Sequence, residues 1–228
     1  MRVLLCAAAL AVCLTSQALA VFDLQITEIW PGNTTSANFT DDWFEVTNFG
    51  DMAWTSAAGT LFFDDSPPNP ANAVPLFGVS SIAPGESVVY VDGNAGTGGL
   101  NEFLWHDGWD GPLTANLRPI PQVGSYEGAG LGQGGDGVAL FLDSSPPVAA
   151  GDQIDFETYP DANASGGQSF DSFFDVFTEL SFSGATVTGP NDDGEVSVGT
   201  PGYLLPEPAS LALFGLGLTL VSLRRGRP

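Results

Sequence analysis

Apolar positions in this chain fall in short runs separated by turn residues, except at the two ends, where they form long uninterrupted stretches. Between residues 21 and 204 no stretch sustains the 3.6-residue apolar period of an amphipathic helix. The runs are rich in Val, Ile, Phe, Tyr and Trp and are bounded by Gly, Pro, Asp, Ser and Thr, the pattern of β-strands. It predicts strands near Asp23–Trp30, Trp43–Asn48, Thr60–Asp64, Ser87–Asp92, Gly137–Asp143, Gln153–Tyr159 and Phe182–Thr188. Within the sixth, Ile154, Phe156 and Thr158 alternate with Asp155, Glu157 and Tyr159, which predicts a half-buried strand with the second set on its wet face. Trp43 and Phe44 suit adjacent faces of an early strand, Asn48-Phe49-Gly50-Asp51 suits a turn, and Pro84-Gly85 suits a type II turn. Ser169 to Leu180 could hold a helical turn, although its phenylalanines settle into no single period.

Many short strands with loop punctuation predict an all-β fold, an antiparallel β-sandwich. The connections around Asp64–Val79 and Gly93–Gly135 are long for hairpins. One internal echo exists: LFFDDSPP from Leu61 and LFLDSSPP from Leu140 are apolar strands that stop at Asp-x-Ser-Pro-Pro. Proline cannot continue a central ladder, so both strands end there. The echo is either a vestige of duplication or two strand ends with similar turn chemistry, and the second reading is simpler.

The chain ends change the picture. MRVLLCAAALAVCLTSQALA has a positive Arg2, an apolar stretch from Val3 to Leu14, and the small-residue cleavage signature Ala18-Leu19-Ala20. Residues 1–20 therefore read as a secretory signal peptide, cleaved after Ala20, which implies passage through the Sec export machinery. A buried N-terminal helix is the alternative, but nothing caps it. At the other end Ala209 to Leu223 is free of charge and holds Gly215 and Gly217. As a helix it would be about 22 Å long, a short transmembrane span. Arg224, Arg225 and Arg227 follow at once, and such a cluster stays on the cytoplasmic side. A buried core helix would instead carry a polar face. The predicted organisation is thus residues 1–20 as signal, 21–204 as one β-sandwich and 205–228 as a tail with a transmembrane helix. Both cysteines, Cys6 and Cys13, lie in the signal, so the mature body can form no disulfide, thiol nucleophile or thiolate metal site.

The charge is lopsided: 27 acidic residues against 5 basic ones give a formal net charge of −22. No lysine occurs, and Arg118 is the one basic residue between the end segments. Such a surface repels phosphate backbones, which excludes nucleic acid as a natural partner. It attracts divalent cations or basic partners, unless it serves solubility alone.

Pro206-Glu207-Pro208, the apolar helix and the arginine cluster together resemble the PEP-CTERM sorting signal of exported bacterial proteins. The resemblance implies that a membrane-embedded exosortase processes the tail, with Pro206, Glu207 and Pro208 as its recognition motif. It also implies a Gram-negative host that makes exopolysaccharide and biofilm. The mature protein would pass through a transient inner-membrane anchor to the cell surface or extracellular matrix. The body resembles the lamin-tail domain, an immunoglobulin-like sandwich. LQITEIW is similar to its first strand, DDWFEVTNFGD to its D-x-W-[IF]-E-[LV]-x-N segment, and GTLFFDD to the strand that follows. IAPGESVVYVD is similar to its L-x-P-G segment, GGDGVALFLD to its late S-G-D-x-[VI]-x-L segment, and VGTPGYL to its closing G-[ST]-P-G. These segments run in family order from about Asp23 to Leu204.

Candidate chemistry is thin. His106, the only histidine, lies in FLWHDGWDG without a G-x-S-x-G partner motif. Carboxylate pairs such as Asp41-Asp42, Asp64-Asp65 and Asp192-Asp193 leave a glycosidase-like arrangement open, but with so many acids pairs arise by chance. Two loops offer oxygen ligands for calcium, around Asp92 and Asn94 and around Asp192 and Asp193, although neither has EF-hand spacing. Otherwise no cofactor is implied. Trp105 and Trp109 either stack on sugar rings, which suits an exopolysaccharide partner, or form a satellite core under the long connection. The reading that follows is a non-enzymatic surface or matrix protein, structural or adhesive. A carbohydrate- or calcium-binding module is the alternative, and a secreted hydrolase a third.

Overall fold

The computed structural model describes residues 20–32, 42–93, 100–115, 117–143, 148–163, 167–178, 187–189 and 197–202. The chain runs through β1 (Leu24–Trp30), β2 (Trp43–Asn48), β3 (Trp54–Thr55), β4 (Thr60–Asp64), β5 (Val74–Pro75), β6 (Ser81–Ile82) and β7 (Ser87–Asp92). It then forms α1 (Leu100–Ala115), β8 (Gln122–Tyr126), β9 (Asp136–Asp143), β10 (Gln153–Tyr159), β11 (Phe170–Asp171), β12 (Val176–Phe177), β13 (Val187–Gly189) and β14 (Ser197–Gly199). One sheet has six strands in the order β12-β11-β1-β2-β7-β8, and a second has four, β10-β9-β4-β5. Two small ribbons, β3-β6 and β13-β14, complete the sheets among the described residues.

The two larger sheets pack face to face. Ile26, Phe44, Val46, Val88 and Tyr90 of the first meet Leu61, Phe63, Val138, Leu140 and Tyr159 of the second in one buried cluster. Phe44 stacks on Phe63 with ring centroids 5.3 Å apart, and Tyr126 lies 4.4 Å from Phe63. Six of the seven predicted strands are present almost residue for residue. Of the seventh, Phe182–Thr188, only Val187 and Thr188 belong to the described residues, and both lie in β13. The echoing segments are direct neighbours: β4 and β9 pair antiparallel with Phe62 opposite Phe141. Gly85 has φ +73° and Glu86 N–H donates to Ala83 O at 3.0 Å, the type II geometry expected for Pro84-Gly85. Asn48 clasps its turn: its side-chain oxygen accepts from Gly50 N–H at 3.0 Å and its amide donates to Met52 O at 2.9 Å and Ile82 O at 3.0 Å.

Three expectations are corrected. First, the fold is mainly β, consistent with the expected all-β sandwich, but its six-stranded sheet is not purely antiparallel, because β8 pairs with β7 in parallel. A parallel neighbour needs a crossover, and α1 supplies it. Trp105, Trp109 and Leu113 project from α1 at a four-residue spacing and are fully buried on Trp30, Trp43, Val89 and Val91 of the sheet's outer face. That stripe holds a helix despite Gly108, Gly111 and Pro112, all poor helix formers. It also explains why every residue of β2 is buried: one face meets the second sheet and the other meets α1 and the chain near residue 200. Second, the faces of β10 are reversed. Gln153 pairs with Phe141 and Asp155 with Leu140, so Ile154 is an extra residue in a bulge. Tyr159 consequently enters the core at 4% exposure, whereas Ile154 is 40% exposed. Third, Ser169–Leu180 holds no helical turn among its described residues; β11 and β12 form a hairpin there.

Candidate functional site

The strand residues Glu28 and Glu45 are each 1% exposed. They lie opposite one another in the register of β1 and β2, and Asp171 lies opposite Glu28 in the register of β1 and β11. The three carboxylates therefore form a row across adjacent strands, Glu45, Glu28 and Asp171. On β2 the row shares the face of Trp43, since strand side chains alternate and Glu45 follows two residues later.

The chain from Gly199 to Gly202 seals this row. Thr200 N–H donates to Glu28 Oε1 at 2.6 Å, and Gly202 N–H donates to Glu45 Oε2. Gly202 has φ +71°, a left-handed conformation that glycine adopts freely. A Cβ on Gly199 would lie 3.1 Å from Glu28 Oε1 and 3.2 Å from the Trp109 ring, so the segment presses directly on the carboxylate and the helix. Hydroxyls complete the network. Ser169 Oγ donates to Glu28 Oε1 and lies 2.9 Å from Thr178 Oγ1. Thr27 Oγ1 donates to Glu45 Oε1 at 2.6 Å and continues through Thr47 at 3.0 Å to Ser87 at 2.7 Å. Arg118 donates to Thr200 O at 3.2 Å and its charge favours the ionised form of Glu45.

One atom stands apart. Glu28 Oε2 is buried and has no hydrogen-bond partner among the described residues. Burial first, and then the charge of Glu45, push the Glu28 carboxyl up to about 8, so it carries a proton at neutral pH. Burial likewise raises Glu45 to about 7, against the hydrogen bonds from Thr27, Gly202 and Ser87 and the attraction of Arg118. A cavity of about 20 Å³ adjoins the row and is lined by Thr27, Glu28, Glu45, Phe49, Asp171, Phe173 and Thr200. That is room for about one water-sized group. A larger open cleft of about 200 Å³ lies beside the closing segment, between Gly85–Ser87, Pro119–Pro121 and Gly202.

The residues singled out in the sequence fare differently. Ala18, Asn94, Asp192, Asp193, Pro206, Glu207, Pro208, Arg224, Arg225 and Arg227 lie outside the described residues. Ala20 is described and exposed. Asp92 ends β7, with its N–H donating to Asp42 O at 2.7 Å. Among the described residues no group of three or more His, Cys, Asp or Glu side chains could hold a metal ion. Nor is any described helix long and apolar enough to cross a membrane. Trp105 and Trp109 are not sugar platforms, being 1% and 0% exposed; they are the satellite core. His106 faces outward on α1 and pairs with Asp110 at 2.9 Å.

The Glu28–Glu45 pair escaped the sequence reading, although a signal exists. ITEIW and WFEVTN each place one glutamate inside an otherwise apolar strand. In a strand covered on both faces, such a residue must be buried with partners. Comparison with protein-family models, with curated proteins and with solved structures returned no match.

Proposed function

We propose that this chain is the precursor of an exported, non-enzymatic surface or matrix protein, structural or adhesive, sorted by an exosortase-type enzyme. In this reading its body is a lamin-tail-like, immunoglobulin-like sandwich, its leader ends at Ala20, and its tail is a PEP-CTERM signal with a transmembrane helix. The observation that carries the reading is how the body is tied at its ends. Val21, the residue that cleavage after Ala20 would expose, has its nitrogen 2.8 Å from Asp51 Oδ1. Its carbonyl accepts from Asp51 N–H at 3.0 Å and Met52 N–H at 3.2 Å. After cleavage that nitrogen is an ammonium beside a carboxylate. At the other end Gly202, three residues before Leu205, is held by Glu45. The segments that resemble the lamin-tail domain support the same reading: they fall in order on β1, β2, β4, β7, β9 and the closing Gly199–Gly202 loop. The two glutamates that this loop seals come from the first two of these segments.

The site also bears on the alternatives. A pair of carboxyls with raised proton affinity is the kind of arrangement hydrolases use. Here the adjoining cavity of about 20 Å³ is far too small to admit a glycosidic bond between the two acids. The burial of Trp105 and Trp109 removes the aromatic residues that suggested sugar stacking.

The sorting part of the proposal is tested by Glu207→Ala in the native host. The wild-type chain is expected outside the cell or on its surface, and the variant in the inner membrane. Equal distribution of the two would refute the sorting role of Pro206-Glu207-Pro208.

A further inference from the structure

Glu28 Oε2 is a buried acceptor without a donor among the described residues, next to a cavity lined in part by Phe49 and Phe173. Donors already reach Glu28 Oε1 (Ser169 and Thr200), both oxygens of Glu45 (Thr27 and Gly202) and Asp171 Oδ1 (Phe173 and Phe174 N–H at 3.0 Å each). A buried carboxyl of this kind requires either a proton or an external positive charge. A metal ion is a poor candidate for that charge, because Ca²⁺ demands about six to eight oxygens and the donors here are already turned toward the carboxylates. An ammonium group fits better. It is water-sized and donates up to three hydrogen bonds, which the lone pairs that remain on the carboxylates accept. The lining suits its stem as well. Phe49 and Phe173, the latter 59% exposed, both line the cavity, so a methylene chain carried by the ammonium would meet aromatic side chains there.

We propose that the cavity at Glu28, Glu45 and Asp171 is a binding site for a primary ammonium group, which donates to Glu28 Oε2. The inference goes beyond the sorting and matrix reading and does not depend on it. Binding is an exchange: the Glu28 carboxyl gives its proton to solvent, and the ligand's R–NH₃⁺ pairs with the carboxylate left behind. Each amine bound thus releases one proton. The charged and titratable groups facing Glu28 are Glu45 on β2, Asp171 on β11 and, next to Glu45, Arg118 after α1. Ser169, Thr178 and Thr200 face it with hydroxyls or backbone, and α1 presents the Trp109 ring near Gly199. Arg118 opposes the ligand but is engaged with Thr200 O.

The test is calorimetric titration of the full chain in detergent with methylammonium chloride. Tetramethylammonium, potassium and calcium chlorides at matched ionic strength are the controls. Saturable binding of methylammonium alone is expected, with one proton released, read from buffers of different ionisation enthalpy. Affinity should rise up to about tenfold from pH 6.5 to 7.5, since the proton must leave. Glu28→Gln, which keeps the acceptor for Ser169 and Thr200, should abolish both binding and proton release. Equal heats from methylammonium and tetramethylammonium, tighter binding of potassium or calcium, or unchanged binding by the variant would overturn the proposal. Should the variant fail to fold, proton release by the wild-type chain decides: none means no such site. Nα-acetyl-lysine methylamide and glucosamine then distinguish a side-chain amine from an amino sugar as the source.

Discussion

The buried glutamate makes a quantitative claim about stability. Glu28 has a pKa of about 8 in the folded chain against 4.5 for an unperturbed glutamate. Between those values the unfolded chain has lost a proton that the folded chain keeps. Stability is therefore fully present below pH 4.5 and declines as pH rises toward 8. At pH 7 the unfolded state has gained about 2.5 pH units of free ionisation, which at 1.36 kcal/mol each is roughly 3 kcal/mol. Glu28→Gln cannot ionise in either state, so it should lose this decline. Its amide can also supply a hydrogen where the carboxyl proton sits. The variant is expected to match or fall slightly below the wild type at pH 4.5 and to gain on it by about 3 kcal/mol by pH 7. For a chain of this size that is a difference in melting temperature of roughly 6–12 °C. Denaturant titrations of both proteins at several pH values between 4.5 and 8 measure the gap directly. The general repulsion from a net charge of −22 acts on both and cancels. Parallel stability profiles would refute the protonated, enclosed state of Glu28.

Glu45→Gln should likewise lessen the decline of stability with rising pH, because burial raises the Glu45 carboxyl as well; the same titrations read it, and a profile parallel to that of the wild type would contradict the burial of this acid. Trp109→Ala should cost about 3–5 kcal/mol by removing the centre of the tryptophan cluster, measured by denaturation, and a loss below 1 kcal/mol would mean that α1 does not dock there. Gly124→Ala should cost about 3 kcal/mol, since its Cβ would lie 2.2 Å from Phe77 O and 3.0 Å from the Tyr90 ring; wild-type stability would contradict the close approach of β8. Asp51→Asn should change stability by less than 1 kcal/mol in the mature chain, as an exposed ion pair with the Val21 ammonium is worth little; differential melting checks it.

Much of the strand framework was legible because turn residues punctuate it and its apolar runs are dense. Where the reading failed, long-range partners overrode local pattern. Leu100–Ala115 holds glycines and a proline that argue against a helix, and only the Trp105, Trp109, Leu113 stripe argues for one. That stripe has force only once Trp30 and Trp43 exist to receive it. Ile154 and Phe156 look like a buried face until the bulge turns Asp155 and Tyr159 inward, and a bulge leaves no mark in alternation. QVGSY carries too few apolar residues to stand as a strand; β7 recruits it from across the crossover. Glu28 and Glu45 were visible as lone acids in apolar strands. Their pairing is a matter of register, and their sealing depends on Thr200 and Gly202 more than 150 residues away, by sequence separations of 172 and 157.

Release of the body as its own entity is tested most directly by intact-mass analysis of the protein recovered from its host, fraction by fraction. The predicted result is a surface or extracellular species that begins at Val21 and ends near Leu205 or Pro206. A species confined to the inner membrane and still carrying Arg224 to Pro228 would contradict it.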